Sequence, residues 1–295
     1  MTVMQIKAVL DSLSSTLSKA GIADAELEVQ FMLQHVLKCS RGQLFLKMAN
    51  SLPESLFVQL QGLLARRMQR EPLAYILGEW DFRGLTLAVG PDVLIPRPET
   101  EQLVDAVASL FANAKGRMNS QRALDVGCGS GAIAISLLKE GLVSQVVAMD
   151  ISEHALMLCQ ANAKRNAVTD KMSLVAADLR QMPFIGQFDL VVGNLPYIDS
   201  NEIDTLMPEV SCFEPRLALD GGLHGTALFV ELAAVLERIL RPGGFLVLEI
   251  GADQENFIIE LFQNRLYDSL AVLPDYAGLP RIFSARRHPA KTAPL

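Results

Sequence analysis

Hydrophobic residues recur at every third or fourth position along the first 70 residues of the chain. This spacing puts the apolar side chains on one face of a helix, and it predicts helices over about residues 3–13, 27–37 and 51–68. The last of these begins with Ser51 and Glu54, whose spacing is that of a capping box. The pattern therefore predicts a small all-α domain at the N-terminus.

The pattern changes after residue 70, where apolar and polar residues partly alternate between glycines. Residues 71–95 are predicted to form a β-hairpin that links two domains. From residue 123 onward, apolar runs alternate with helical stretches, which is typical of an α/β fold with helices on both faces of a parallel sheet. Strands are predicted at about 123–126, 144–149, 172–176, 188–192 and 244–250, and helices at about 132–140, 153–166 and 226–240. Two more runs, 266–273 and 281–285, predict an antiparallel edge to the sheet.

These patterns divide the chain into four segments. Residues 1–70 are the helical domain, 71–95 the hairpin linker, 96–287 an α/β domain with a mostly parallel seven-stranded sheet, and 288–295 a flexible tail. Prolines at 96 and 98 favour an extended approach to a helix. Arg97 and Glu99 lie at this entrance to the large domain, and they are candidates for contact with a ligand or substrate.

The composition indicates a cytoplasmic protein with a sizeable core, since half of its 295 residues are hydrophobic. No apolar run reaches the roughly 18 residues of a membrane span, and no signal-peptide pattern follows Met1, so no membrane partner is expected. The four cysteines lack a C-x-x-C pair and the four histidines are dispersed. Neither a disulfide framework nor a metal site is therefore expected.

The net charge of −7 disfavours non-specific binding to nucleic acid, because neutralising phosphates requires a basic face. The charge is uneven, with +3 in the first 70 residues and −10 in the remainder. Ordinary solvated helix faces explain this difference, and contact with a macromolecular partner is the alternative explanation.

A glycine-rich turn follows the first predicted strand of the large domain. Gly127, Gly129 and Gly131 alternate with Cys128 and Ser130 between a strand and a helix. The backbone there can approach a ligand closely and turn sharply. The spacing differs from the G-x-G-x-x-G of dinucleotide sites and suits a small nucleoside better than a pyrophosphate.

Two carboxylates follow the next two predicted strands. Asp150 can accept hydrogen bonds from both hydroxyls of a ribose, and Asp178, which precedes Leu179, can accept one from an adenine amino group. Each alone is equally consistent with a helix cap. The carboxyl ends of parallel strands converge on one crevice, so the glycine turn, Asp150, Asp178 and Asn194 are predicted to face the same ligand.

The segment Asn194-Leu195-Pro196-Tyr197 follows the apolar run 188–192 and is predicted to form a tight loop at the end of a buried strand. An Asn amide, a proline-restrained backbone and an aromatic ring can together hold a flat group that carries an NH2. These four residues are the predicted catalytic and substrate-binding clamp. The clamp lies next to the predicted donor site.

The order of these motifs resembles the class I S-adenosylmethionine-dependent methyltransferases, which have a Rossmann-like fold. Four segments in combination resemble the release factor glutamine N5-methyltransferases: Pro96-Arg97-Pro98-Glu99-Thr100, Asp125-Val126-Gly127-Cys128-Gly129-Ser130-Gly131, Asn194-Leu195-Pro196-Tyr197 and Glu214-Pro215-Arg216-Leu217-Ala218-Leu219. The resemblance covers nearly the whole chain, including the helical domain. It implies S-adenosylmethionine as methyl donor and, as acceptor, the glutamine of the Gly-Gly-Gln motif in peptide chain release factors 1 and 2.

By position, the resemblance implies that residues 127–131 hold the methionine part of the donor, Asp150 its ribose, and Asp178 and Leu179 its adenine side. It also implies that residues 194–197 hold the glutamine. The helical domain is expected to recognise the body of the release factor, and we expect a monomer without a stable nucleic-acid partner. The family's usual clamp is Asn-Pro-Pro-Tyr, whereas this chain has Leu195 at the second position.

We expect the Asn194 side-chain oxygen and the Leu195 carbonyl to accept the two N–H bonds of the glutamine amide, with Tyr197 packed on the amide plane. A ribosomal-protein glutamine methyltransferase would share this clamp. An adenine-N6 nucleic-acid methyltransferase would also share it, because adenine N6 is a planar conjugated NH2. The alternative without catalysis is a silent S-adenosylmethionine-binding adaptor.

Overall fold

The computed structural model describes residues 4–113, 121–185, 188–263 and 266–289. The chain divides into two units. The first runs to Gly78 and also contains the segment Met207–Phe213, and the second contains Glu79–Leu206 and the chain from Glu214 onward. The flexible tail predicted for residues 288–295 lies outside the described residues from residue 290 onward.

The first unit is helical. Its helices are α1 (Ile6–Lys19), α2 (Ala25–Leu37), α3 (Arg41–Leu46), α4 (Glu54–Met68), α5 (Leu73–Leu77) and the short α9 (Pro208–Ser211). The predicted apolar stripes form its core, in which Val9, Val29, Leu33 and Leu60 are fully buried. Burial of one face of each amphipathic helix is what stabilises a helical unit of this size.

The predicted capping box at Ser51 and Glu54 is wrong. Helix α4 begins at Glu54 with Pro53 at its N-cap, and no side chain caps it. Ser51 instead forms an isolated antiparallel bridge with Gln5, which removes it from the helix terminus. A capping box does occur at α3, where the Gln43 backbone N–H donates to Ser40 Oγ at 3.3 Å and the Ser40 backbone N–H donates to Gln43 Oε1 at 2.9 Å.

The predicted hairpin is shorter than residues 71–95. Its strands are β1 (Glu79–Phe82) and β2 (Leu85–Ala88), which pair antiparallel around Arg83 and Gly84. The residues before the hairpin form helix α5 (Leu73–Leu77), and four of its five residues are buried. Gly78 ends that helix in the left-handed conformation, with φ of 75°.

The second unit contains a seven-stranded sheet. Its strands are β3 (Arg122–Val126), β4 (Gln145–Asp150), β5 (Met172–Ala176), β6 (Phe188–Gly193), β7 (Leu240–Glu249), β8 (Tyr267–Pro274) and β9 (Pro280–Arg287). They lie in the order β5-β4-β3-β6-β7-β9-β8. Strand β9 pairs antiparallel with both of its neighbours, β7 and β8, and the other neighbouring pairs are parallel. The predicted seven-stranded, mostly parallel sheet is therefore confirmed, and β7 starts at Leu240 rather than near residue 244.

Helices cover both faces of this sheet. They are α6 (Pro98–Asn113), α7 (Ala132–Lys139), α8 (Glu153–Arg165), α10 (Ala227–Ile239) and α11 (Glu255–Phe262). Alternate strand residues enter two separate cores: Ala123 belongs to the same buried cluster as Val107 of α6, whereas Leu124 belongs to the cluster that contains Leu236 of α10. This alternation follows from the two-residue repeat of a strand. Helix α11 was not predicted from the sequence.

The strand order reverses direction between β3 and β6, which are hydrogen-bonded neighbours. In open α/β sheets, ligands bind in the crevice at the carboxyl ends of the strands where the order reverses. The glycine turn follows β3 and the clamp follows β6, so the topology brings both motifs to that crevice. Among the described residues, none of the helices has both the length and the apolar character needed to cross a membrane.

Candidate active site

A cavity of about 340 Å³ opens at the carboxyl edge of the parallel strands, within the second unit. Its size falls within the usual range for small-molecule sites. Ten of the predicted site residues line it: Gly127, Cys128, Gly129, Ser130, Asp150, Asp178, Leu179, Asn194, Leu195 and Pro196. Four other predicted residues, Gly131, Tyr197, Arg97 and Glu99, are not among the described residues that line it.

The glycine turn is held open by backbone hydrogen bonds to strand β4. The N–H groups of Gly127 and Cys128 donate to the Met149 carbonyl at 2.8 and 3.0 Å. Gly127 and Gly129 have φ of 71° and 52°, a left-handed conformation that favours glycine. At these two glycines the turn therefore presents backbone without a side chain to the cavity.

Gly131 is part of the packing behind the turn rather than of the cavity wall. It precedes α7 with φ of 82°, and a Cβ atom there would lie 2.6 Å from Cys159 Sγ. Its requirement for glycine comes from the close approach of α7 to α8. The sequence could not separate this role from ligand contact.

Asp150 lines the cavity and also ties two loops together. Its Oδ2 accepts a hydrogen bond from the Gly129 N–H at 2.9 Å, and its Oδ1 accepts one from the Ser152 N–H at 2.9 Å. Burial raises the pKa of the Asp150 carboxyl, and these backbone hydrogen bonds oppose that rise. Each carboxylate oxygen has a further lone pair, so contact with ribose hydroxyls remains a prediction.

Asp178 lies at the next strand end. Its Oδ1 accepts from the Arg180 backbone N–H at 2.9 Å, and its Oδ2 pairs with the Arg180 guanidinium at 2.6 Å. These hydrogen bonds lower the pKa of the Asp178 carboxyl. Leu179 and Ile151 give this end of the cavity an apolar wall. Ile151 was not predicted as a site residue. It is an apolar residue directly after strand β4, and the structure leaves it 49% exposed.

The Asn194 side chain is held from the side of helix α6. Its Nδ2 donates a hydrogen bond to Thr100 Oγ1 at 3.2 Å, and Thr100 Oγ1 donates to Glu249 Oε2 at 2.6 Å. Glu249 ends strand β7 and is 1% exposed. Burial raises the pKa of the Glu249 carboxyl, against the hydrogen bonds from Thr100 and Tyr197. Thr100 and Glu249 were not predicted as site residues.

Tyr197 is anchored by the same carboxylate. Its hydroxyl donates to Glu249 Oε1 at 3.0 Å and accepts from Arg281 Nη1 at 3.4 Å. Burial raises the pKa of the Tyr197 hydroxyl. Its carbonyl accepts from Gln254 Nε2 at 2.9 Å. Because Tyr197 is outside the described cavity lining, its packing on a bound amide remains a prediction.

The Leu195 side chain is buried, with 3% exposure. It packs beside two glycines: a Cβ atom at Gly127 would lie 3.5 Å from Leu195 Cδ2, and one at Gly193 would lie 3.7 Å from Leu195 Cγ. The residue that replaces the proline of Asn-Pro-Pro-Tyr is thus wedged between the glycine turn and the end of β6. Its burial restricts the loop where the proline ring is missing.

Arg97 forms an ion pair with Glu214. Glu214 Oε2 also accepts from the Ile95 backbone N–H at 3.3 Å. Burial raises the pKa of the Glu214 carboxyl, and Arg97 opposes that rise. The pair therefore links two of the sequence motifs beside the cavity. In helix α6, Thr100 lines the cavity and Glu99 does not.

Two family models and several curated proteins match this chain. Residues 8–78 match the family model of the PrmC N-terminal domain, and residues 123–212 match that of a methyltransferase domain. The human MTRF1L release factor glutamine methyltransferase is 37% identical over 290 residues, which cover 91% of this chain and 83% of the relative. The release factor glutamine methyltransferase of Geobacter sulfurreducens is 34% identical over 281 residues, covering 95% of this chain and 96% of the relative.

A methyltransferase structure from Pyrococcus furiosus has the same fold, with a TM-score of 0.52 at 18% sequence identity over 70% of this chain and 90% of that one. The relatives match both the helical unit and the sheet, and they do so over nearly their full length. The chain therefore belongs to the release factor glutamine methyltransferase family.

Proposed function

We propose that this protein transfers the methyl group of S-adenosylmethionine to the side-chain amide nitrogen of the Gly-Gly-Gln glutamine in peptide chain release factors. The observation that carries the proposal is the position of Asn194. Its amide is fixed by Thr100 in the wall of the same cavity that the glycine turn lines. This position supports an acceptor clamp next to a donor site.

The donor half of the cavity suits S-adenosylmethionine. The glycine turn offers backbone without side chains, and Asp150 and Asp178 offer carboxylate oxygens at successive strand ends. Beneath the turn, Asp125 Oδ1 is buried without a hydrogen-bond partner among the described residues, while Oδ2 accepts from the Ala134 N–H at 3.1 Å. A cation beside this buried carboxyl group, such as the ammonium group of the donor's methionine part, would stabilise its ionised form. When bound, the donor supplies an electrophilic methyl group on a sulfonium.

The clamp needs to place a weak nucleophile. The lone pair of a carboxamide nitrogen is delocalised, so the main contribution is alignment of that nitrogen with the methyl carbon at about 3 Å. Asn194 Oδ1 and the Leu195 carbonyl oxygen accept hydrogen bonds from the two N–H groups of the glutamine amide. They also stabilise the positive charge that develops on nitrogen. Tyr197 supports the plane of the amide. No strong base is required before transfer, because the alkylated amide is acidic and loses its proton afterwards.

The helical unit is the candidate for recognition of the release factor body, with release factors 1 and 2 as the partners and the monomer as the working form. Its basic excess sets it apart from the acidic remainder of the chain. We propose the cytoplasm as the place of the reaction. The net charge of −7 favours a protein acceptor over DNA, in which the phosphates repel an acidic surface.

The proposal is tested by incubating the protein with labelled S-adenosylmethionine and a purified release factor, beside a release factor whose Gly-Gly-Gln glutamine is changed to alanine. Label on the unaltered factor alone supports the acceptor and the reaction together. Label on both factors would place the acceptor elsewhere. Label on neither, with donor binding intact, would contradict the proposal and direct attention to a ribosomal-protein or nucleic-acid acceptor, or to a silent adaptor.

A further inference from the structure

Glu249 is a buried carboxylate that the clamp mechanism does not use directly. Its side chain makes two hydrogen bonds, from Thr100 to Oε2 at 2.6 Å and from Tyr197 to Oε1 at 3.0 Å. Both partners are neutral hydroxyls, and burying a carboxylate between them carries a desolvation cost. The two hydroxyls belong to residues that contact Asn194 or are part of the clamp itself. The carboxylate thus reaches both ends of the four-residue loop.

The direction of these hydrogen bonds is fixed by chemistry. A carboxylate can only accept, so Thr100 must donate its one hydroxyl hydrogen to Glu249. The Thr100 oxygen is then an acceptor toward Asn194, which must present its NH2 group to Thr100. The amide oxygen of Asn194 consequently points away from Thr100. On the side away from Thr100, the Asn194 oxygen can accept a hydrogen bond from a bound NH2 group. An Asn194 NH2 group in that position could not accept one and would repel the bound NH2 group.

Arg281 fixes the direction of the other hydrogen bond to Glu249, the one from Tyr197. A guanidinium only donates, and its Nη1 lies 3.4 Å from the Tyr197 hydroxyl and 3.1 Å from the Ile250 carbonyl. Tyr197 therefore accepts from Arg281 and donates to Glu249. Both oxygens of Glu249 therefore accept hydrogen bonds. This one carboxylate sets which group donates and which accepts in each hydrogen bond from Tyr197 and Thr100 to Asn194.

We propose that Glu249, acting through Thr100, is the positioning residue that makes the clamp accept hydrogen bonds and so selects an NH2-bearing acceptor group over a carboxylate. The inference rests on the proposed function and adds the origin of its selectivity. Neither residue touches the reacting atoms. Their contribution is the orientation of the Asn194 amide.

The variant Glu249→Gln inverts this polarity while preserving shape. Arg281 still forces Tyr197 to donate, so the oxygen of the new side-chain amide faces Tyr197 and its NH2 group faces Thr100. Thr100 then accepts from position 249 and donates to Asn194, whose amide turns and presents NH2 to the acceptor. The expected result is a fall in kcat of about 100-fold, the scale of one preorganised polar group. The affinity for S-adenosylmethionine is expected to stay within about threefold.

The deciding measurement compares the affinity of two release factors, one with Gly-Gly-Gln and one with Gly-Gly-Glu, for each enzyme variant. The unaltered enzyme should prefer the glutamine factor. Glu249→Gln should shift the ratio of the two dissociation constants by about tenfold or more toward the glutamate factor. A purely structural loss would weaken both factors alike and would leave this ratio unchanged.

Variants at Thr100 supply a second route to the same answer. Thr100→Val removes the hydroxyl that connects Glu249 to Asn194 with little change of shape, and it should lower kcat and the preference for the glutamine factor. Thr100→Ser keeps the hydroxyl and should recover most of both. Thr86→Val is the matched control, because Thr86 Oγ1 also donates to a carboxylate, that of Asp81 at 3.0 Å, on the hairpin outside the described cavity lining. It should behave as the unaltered enzyme does.

Two outcomes overturn the inference: kcat of Thr100→Val and Glu249→Gln within about threefold of the unaltered enzyme, or a loss of kcat with the glutamine preference unchanged. Failure of the proposed function is distinguishable, because the unaltered enzyme would then fail to label either release factor. Melting temperature and donor affinity, measured for every variant, separate misfolding from loss of polarity.

Discussion

Arg97 and Glu214 form an ion pair between the segment that leads into α6 and the segment after Phe213, and the carboxylate also accepts from the Ile95 backbone N–H. The Glu214 side chain is 1% exposed, whereas that of Arg97 is 32% exposed. The pair lies next to the residues of both segments that line the cavity. Its two members were separate motifs in the sequence, and the structure joins them.

Removing one member should destabilise the second unit. Glu214→Ala leaves the Ile95 N–H and the Arg97 guanidinium without this carboxylate, and we expect a loss of about 3 kcal/mol in the free energy of unfolding. Urea denaturation followed by circular dichroism measures it. The double variant Arg97→Ala with Glu214→Ala should cost less than the sum of the single changes. Additive losses would show that the pair is not coupled.

Asn194→Ala should remove transition-state stabilisation of about 2–4 kcal/mol, because one preorganised polar group is lost from the acceptor side. The expected sign is a lower kcat with unchanged affinity for S-adenosylmethionine. Single-turnover kinetics and calorimetric titration of the donor measure the two quantities. A parallel loss of donor affinity and activity would assign Asn194 to the donor site instead.

Gly131→Ala should destabilise the fold by about 2–3 kcal/mol, through the strain of a positive φ and the clash with Cys159 Sγ. Cys159→Ala removes the sulfur and leaves its Cβ at an ordinary 3.6 Å. The double variant should therefore recover part of the loss, which thermal denaturation of all three variants would measure. Equal melting temperatures for Gly131→Ala with and without Cys159 would show that backbone strain alone is responsible.

Burial raises the pKa of Asp125 from 3.8 to about 7. The folded state thus holds a proton that the unfolded state releases, and this contribution to stability is full below pH 3.8 and is lost as pH rises through about 7. The loss is about 4 kcal/mol, because each tenfold difference in proton affinity corresponds to about 1.4 kcal/mol. The free energy of unfolding, measured from pH 4 to 8 without donor, should fall less steeply for Asp125→Asn than for the unaltered protein.

Asp170→Asn, on an exposed turn, is the control for this measurement. Donor binding supplies a cation near Asp125 in the proposed function and should lower the pKa of its carboxyl. The difference between Asp125→Asn and the unaltered protein should therefore shrink when the donor is present. A slope that is the same in the two proteins at all pH values would contradict the assignment.

Local patterns determined most of the secondary structure. Apolar runs located all seven sheet strands and the 3.6-residue repeat located the main helices, since burial is written into the sequence. Local signals failed where several interpretations share one pattern. Ser51 and Glu54 have capping-box spacing, yet Ser51 pairs with Gln5, 46 positions earlier in the chain. Helix α11 was missed although it is as long as α7, which was predicted, at eight residues each.

The sequence by itself also located the residues of the proposed donor and acceptor sites. The glycine turn and residues 194–197 are runs whose chemistry is visible in order, and Asp150 and Asp178 each follow a predicted strand. Only the tertiary structure decided what holds them. Thr100 and Glu249 are 149 positions apart and Asn194 is 94 positions from Thr100, yet hydrogen bonds connect all three. Such contacts arise where strand ends and a helix start meet at one edge of the sheet, and this meeting depends on strand order rather than on neighbours in the chain.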